Sequence, residues 1–134
     1  MQTFHFAQII AVGIGGFFGA ISRFWLSNQM YVWLGRDFVW GTLTVNALGS
    51  FLIGLLTMLM IDKVHLALEW RALLIVGFIG AFTTFSTFAF ETVLYFQQGL
   101  FEKALVNIAG NVVLSIAMVG LGLWIGRQFA LPAA

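Results

Sequence analysis

Four long apolar runs, separated only by short polar stretches, constrain this chain more than any other feature. They cover about residues 6–26, 42–61, 72–96 and 104–129. A helix needs about 20 mostly apolar residues to cross roughly 30 Å of hydrocarbon, and each run is long enough. In lipid the backbone polar groups must pair internally, which leaves helices or closed barrels as spanning structures. Long continuous runs predict helices. Composition points the same way, with 61% hydrophobic and 8% charged residues against roughly 25% charged in soluble domains. A chain of 134 residues cannot hide so much apolar surface from water, because a small domain keeps a large share of its surface exposed. The expected architecture is an all-α integral membrane protein, with residues 1–134 as one domain of four transmembrane helices.

The connections carry most of the charge. Asn28 to Trp40, with Gly35-Arg36-Asp37, links the first pair of runs. Asp62-Lys63 through Glu69-Trp70-Arg71 links the second, and Gln97-Gln98-Gly99 through Glu102-Lys103 the third. Tyr31, Trp33, Trp40, Trp70, Tyr95 and Trp124 fall near run ends, where aromatic belts form. The absence of cysteine excludes disulfides and thiolate metal sites. A net charge of +1 gives no reason to expect a nucleic-acid partner. The first run lacks the basic start of a secretory signal and is too long for one, so it reads as a mature helix.

Small residues recur four apart at Gly15 and Gly19, Ser50 and Gly54, and Gly122 and Gly126. That spacing puts both members on one face and lets helix backbones approach closely. Lysine and arginine normally concentrate on the cytoplasmic side. With four spans, one side holds Lys63, Arg71 and Arg127, and the other holds Arg23, Arg36 and Lys103. Such a balance gives no instruction for insertion. Either both orientations occur, which permits an antiparallel dual-topology homodimer, or six charges are too few to read.

Polar residues inside membrane helices are costly and mark functional positions by default. The third run carries Gly77-Phe78-Ile79-Gly80-Ala81-Phe82-Thr83-Thr84-Phe85-Ser86-Thr87-Phe88, then Glu91. Two glycines and adjacent β-branched residues weaken a helix locally. Two readings fit: a helix broken mid-membrane, with hydroxyls satisfying the freed backbone, or a continuous helix with glycines at a crossing. A break would release carbonyls able to hold a small cation and a helix N-terminus able to face an anion. Phe85 and Phe88 share a helix face, and their electropositive ring edges could partner an anion or simply pack. Asn46 precedes Ser50 and Gly54 on one face of the second run. Asn107, Asn111 and Ser115 form a polar stripe at four-residue steps in the fourth. Interhelical glue explains any one of these amides, but a line of them facing Asn46 suggests more. Arg23 either snorkels to the interface or places positive charge at a pathway mouth. Enzyme chemistry lacks support, because no nucleophile–base pair, metal spacing or phosphate loop occurs.

Several of these residues fall into a known pattern. Arg23 after Gly19, the string Gly41-Thr42-Leu43-Thr44-Val45-Asn46, and Thr83-Thr84-Phe85-Ser86-Thr87-Phe88 followed by Glu91 resemble the Fluc/CrcB family of fluoride channels. The resemblance extends to four spans, short loops and total length. It implies an antiparallel dual-topology homodimer with two fluoride pathways in a bacterial inner (plasma) membrane. It also implies a structural sodium ion (Na+) at the dimer interface, held by the backbone carbonyls of Gly80 and Thr83 from each subunit. The family's pore asparagine falls on Asn46 and its pore phenylalanines on Phe85 and Phe88, with Ser86 and Thr87 between. Its arginine falls on Arg23, and its fourth-helix polar track on Asn111 and Ser115, with Asn107 one turn earlier. The sequence departs from the pattern in three respects. Gly80-Ala81 stands where Gly-Gly is frequent, Ala89 follows the second phenylalanine in place of serine, and Asn107 and Asn111 replace tyrosine and serine.

These features imply passive fluoride flow, with Asn46, the hydroxyls of Ser86, Thr87 and Ser115, and the edges of Phe85 and Phe88 replacing the ion's water. A rival reading is a small proton-coupled multidrug exporter using Glu91, which requires that glutamate in a central aromatic chamber. A second is a membrane assembly subunit that transports nothing and uses its polar residues as glue.

Overall fold

A computed structural model describes residues 5–61 and 67–130 of the chain. Four helices are long and apolar enough to cross a membrane: α1 (Phe6–Leu34), α2 (Trp40–Ile61), α3 (Leu68–Gln97) and α4 (Phe101–Phe129). Their outward faces are apolar, with exposed Phe17, Phe18, Phe24, Val113 and Ile116. Such faces suit a lipid solvent rather than water.

The first helix corrects the sequence-based boundary near residue 26. It continues through Ser27, Asn28 and Gln29 to Leu34. A polar residue does not end a helix when its side chain can serve the helix itself. Asn28 Nδ2 donates to the Phe24 carbonyl one turn back, at 2.8 Å. Termination comes at Gly35, whose φ of 84° lies in the region that glycine enters without strain, and whose N–H bonds the Tyr31 carbonyl. The first connection is therefore short. Phe38 in it is buried, ring to ring with Trp40 at 4.9 Å and Tyr95 at 6.1 Å. Lys103 Nζ donates to the Asp37 carbonyl, tying the first and third connections together at one end of the bundle. Of the second connection, residues 62–66, including Lys63 and His65, lie outside the described residues.

The helices associate chiefly as two pairs, α1 with the first part of α3 and α2 with α4. The small residues explain both. A Cβ at Gly15 would collide with the Leu73 carbonyl, and one at Gly77 would come within 2.7 Å of the Val12 carbonyl. On the other pair, a Cβ at Gly54 would strike the Val119 carbonyl, and one at Gly122 would lie 2.8 Å from the Leu55 amide nitrogen. Backbones thus meet directly, as small-residue spacing permits in lipid. Two stretches are wound more loosely, with π-helical hydrogen bonding: Ala72–Ile79 in α3 and Gly110–Leu114 in α4. Such segments frequently accompany functional sites, and both lie beside the polar groups described next.

Candidate functional site

The site is organised around two residues of α3. Thr83 (φ −88°, ψ 158°) and Thr84 (φ −151°, ψ 110°) are extended, and helix resumes at Phe85. Thr84 is the N-cap of the segment Phe85–Gln97, its Oγ1 accepting the Thr87 N–H at 3.2 Å. Threonine is a favoured residue for that role. In an uninterrupted helix the Thr84 N–H would go to the Gly80 carbonyl four residues back. Here it goes to Asn46 Oδ1 at 2.7 Å. Asn46 Nδ2 returns a bond to the Thr84 carbonyl at 3.0 Å, so one side chain holds both backbone groups of one residue. The Thr83 carbonyl accepts from Arg23 Nη1 at 3.3 Å. Arg23 thus turns inward to the backbone of α3 rather than snorkelling to an interface.

Asn46 also donates to Asn111 Oδ1 at 2.8 Å. Asn111 Nδ2 reaches back to Asn107, to its Oδ1 at 2.9 Å and its carbonyl at 3.1 Å. Asn107 is fully buried and donates to Thr92 Oγ1 at 3.0 Å, and Thr92 donates to the Phe88 carbonyl at 2.8 Å. The polar stripe of α4 therefore faces Asn46, through the π-helical turn that contains Asn111. A second cluster gathers hydroxyls at the start of Phe85–Gln97. Thr84 Oγ1 donates to Thr87 Oγ1 at 2.9 Å and lies 3.3 Å from Ser86 Oγ.

A cavity of about 380 Å³ opens beside these groups. Its walls include Asn46, Thr83, Phe85, Phe88, Asn111 and Ser115. The Phe85 and Phe88 rings stand edge to face, 5.3 Å apart at 67°, with Phe85 largely exposed and Phe88 buried. Sequence reasoning singled out all six. Ser86 and Thr87 are exposed, belong to the hydroxyl cluster, and do not line the cavity. Gly80 is exposed nearby, and Arg23 reaches the cavity wall through the Thr83 carbonyl.

Three contributors were given no site role by the sequence reading. Thr84 is the buried hub of the hydroxyl cluster, Thr92 anchors the amide line, and Gly49 lines the cavity where a Cβ would collide with the Thr83 methyl. A signal was present for two of them. Thr84, Phe88 and Thr92 are spaced by four along one helix face, as are Thr42, Asn46 and Ser50. Thr42 Oγ1 donates to Glu91 Oε1 at 2.7 Å, and Glu91 Oε2 has no partner among the described residues. Glu91 is not among the residues lining the cavity, unlike the central glutamate an exporter needs.

A family model described as "CrcB-like protein, Camphor Resistance (CrcB)" matches residues 10–123. The chain belongs to the CrcB family. Among its relatives is one from Hydrogenovibrio crunogenus, 58% identical over 132 residues, 98% of this chain and 100% of the relative. A relative from Magnetococcus marinus is 48% identical over 120 residues, 90% of this chain and 98% of its own. One from Methylococcus capsulatus is 49% identical over 123 residues, 92% of this chain but 54% of that longer protein. All three carry the name "Fluoride-specific ion channel FluC". These names describe channels rather than enzymes.

Proposed function

We propose that this CrcB protein is a fluoride-specific ion channel that lets the anion pass down its gradient out of the cell. One observation carries the reading. Amide, hydroxyl and aromatic groups from α2, α3 and α4 line a common cavity at the interruption of α3, in a chain 58% identical to a relative so named.

The chemistry suits a small, strongly hydrated anion. Such an ion sheds water only where donors replace it, and weak repeated sites favour conduction over trapping. Asn46 Nδ2, Asn111 Nδ2 and the Ser115 hydroxyl are neutral donors at the cavity wall. Fluoride is a stronger acceptor than an amide carbonyl, so it competes for protons these groups now give to each other. The edges of Phe85 and Phe88 extend the lane with electropositive hydrogens. Ser86 and Thr87 add hydroxyls at its continuation.

We place the molecule in the inner membrane as an antiparallel dual-topology homodimer. The even distribution of lysine and arginine and the exposed aromatic faces support that reading. In this reading the interruption of α3 falls mid-membrane, and the backbone carbonyls of Gly80 and Thr83 would hold a structural sodium ion at the dimer centre. Two features support this fit. The Gly80 carbonyl loses the Thr84 N–H to Asn46, and the Thr83 carbonyl leaves the helical path. Oxygen donors suit a hard cation, and a carbonyl has two lone pairs, so Thr83 can accept from Arg23 and contact a cation together. When bound, the ion would offset the partial negative charge of these carbonyls.

The test is efflux from proteoliposomes of purified protein loaded with equal fluoride and chloride. Fluoride should empty while chloride stays. Equal release of both, or release of neither, would sink the reading.

A further inference from the structure

We infer that Thr92 is a positioning residue for the fluoride pathway, orienting Asn107, Asn111 and Asn46 through a hydrogen-bonded chain that runs in one direction. The inference rests on the proposed channel function and assigns a role to a side chain that does not touch the cavity.

The direction follows from the ends. One end is the Thr84 backbone N–H, which can only donate, so the atom it meets on Asn46 must be Oδ1. Asn46 therefore presents Nδ2 to Asn111, which must answer with Oδ1. Asn111 then presents Nδ2 to Asn107, and the Asn107 backbone carbonyl, an acceptor only, sits there to receive it. Asn107 consequently presents Nδ2 to Thr92, which must accept. Having accepted, Thr92 directs its own proton to the Phe88 carbonyl, another group that can only accept. Each bond agrees with its neighbours, and both ends lie on α3. The chain leaves at Thr84, crosses α2 and α4, and returns four residues on at Phe88, whose ring lines the cavity.

Thr92 is the one hydroxyl link among three amides. An amide flipped by half a turn exchanges donor for acceptor, and in a connected chain one flip forces the next. Without an acceptor at position 92, the Asn107 amide is free to turn and to withdraw the Oδ1 that accepts from Asn111, which leaves Asn111 on the Asn107 backbone carbonyl alone and loosens its hold on Asn46. Thr92 is buried, 7% exposed, so water does not readily substitute. Its remaining role is local. A threonine bonding the carbonyl four residues back contributes little to a helix and can bend it, so the hydroxyl is not needed for helix formation.

The experiment compares fluoride efflux rates of wild type, Thr92→Val, Thr92→Cys and Thr92→Ser in proteoliposomes, each checked for an unchanged elution profile in detergent. Valine keeps the shape and removes the hydroxyl, and cysteine keeps a small group that accepts poorly should valine disturb folding. Both should slow fluoride by about tenfold, the loss of one buried hydrogen bond at the barrier. Serine restores the acceptor and should conduct within about threefold of wild type. Valine and cysteine variants at the wild-type rate would overturn the inference, and so would a serine variant as slow as valine, because packing would then be what matters. A wild-type protein that passes no fluoride would instead overturn the channel reading itself.

Discussion

Two regions of this small bundle are held together by opposite means. Along the seams of α1 with α3 and of α2 with α4, side chains are missing: Gly15, Gly77, Gly54 and Gly122 let one backbone touch another. Around Thr84 polar side chains tie α2, α3 and α4 together instead, with Asn46, Asn111, Asn107 and Thr92 bonded in series. Lipid explains the division. Hydrocarbon gives helices no hydrophobic reason to associate, so close packing must supply the attraction at the seams. Close packing cannot also leave room for an ion. The cavity opens beside the two extended residues of α3, Thr83 and Thr84, where directional bonds hold the neighbouring segments.

The seams should be the less forgiving region. Gly122→Val would drive a side chain into the Phe51 carbonyl and the Leu55 amide, both backbone, where no rotamer change can relieve it. Overpacking a core costs about 1–3 kcal/mol when side chains can adjust, and here they cannot. The expected outcome is loss of monodisperse protein in detergent chromatography. A well-behaved Gly122→Val protein would show that α2 and α4 separate easily.

The polar region should fail differently, keeping the fold and losing function. Asn46→Asp retains the oxygen that holds the Thr84 N–H but replaces Nδ2, the donor to Thr84 and Asn111, with an acceptor. An acceptor-only carboxylate on an anion route repels the ion as well. Fluoride efflux should fall by at least about a hundredfold, equivalent to roughly 3 kcal/mol, with elution unchanged. Phe85→Ile comes next. It keeps bulk at the exposed ring of the edge-to-face pair and removes the polarised edge, for an expected loss of about tenfold, in line with an aromatic pair worth roughly 1 kcal/mol. If Asn46→Asp aggregated while Phe85→Ile conducted normally, the polar groups would be structural glue and the contrast between regions would dissolve.

The seams were legible in part, at Gly15 with Gly19 and Gly122 with Gly126, because glycines four apart have few other uses in a membrane helix. The four spans were legible from length and hydropathy. The end of α1 was not, since Asn28 looks like a loop residue until its amide is seen on the Phe24 carbonyl. The polar site was legible as a set of residue types but not as a wiring diagram. Asn46, Asn111 and Ser115 could be named as donors, yet a sequence does not say that Asn46 uses its oxygen to hold a backbone amide. Thr92 passed unnoticed because a lone threonine beside Glu91 reads as ordinary helix surface, and only its distance from Asn107 gives it a partner. Glycine frequency told equally little about which glycines matter, since Gly13 and Gly15 lie two residues apart with different surroundings.

Gly13 therefore provides the finest test of the comparison. It faces outward on α1, and a Cβ there meets nothing within 4 Å in the single chain. Gly13→Ala should leave fluoride efflux within about twofold of wild type and stabilise the helix by no more than about 1 kcal/mol, the gain expected from alanine at an unobstructed helical position. A substitution so mild becomes informative if it fails. Loss of assembly in Gly13→Ala would mean that a second backbone approaches that face in the intact protein, and the packing rule of the internal seams would then extend to the contact between subunits.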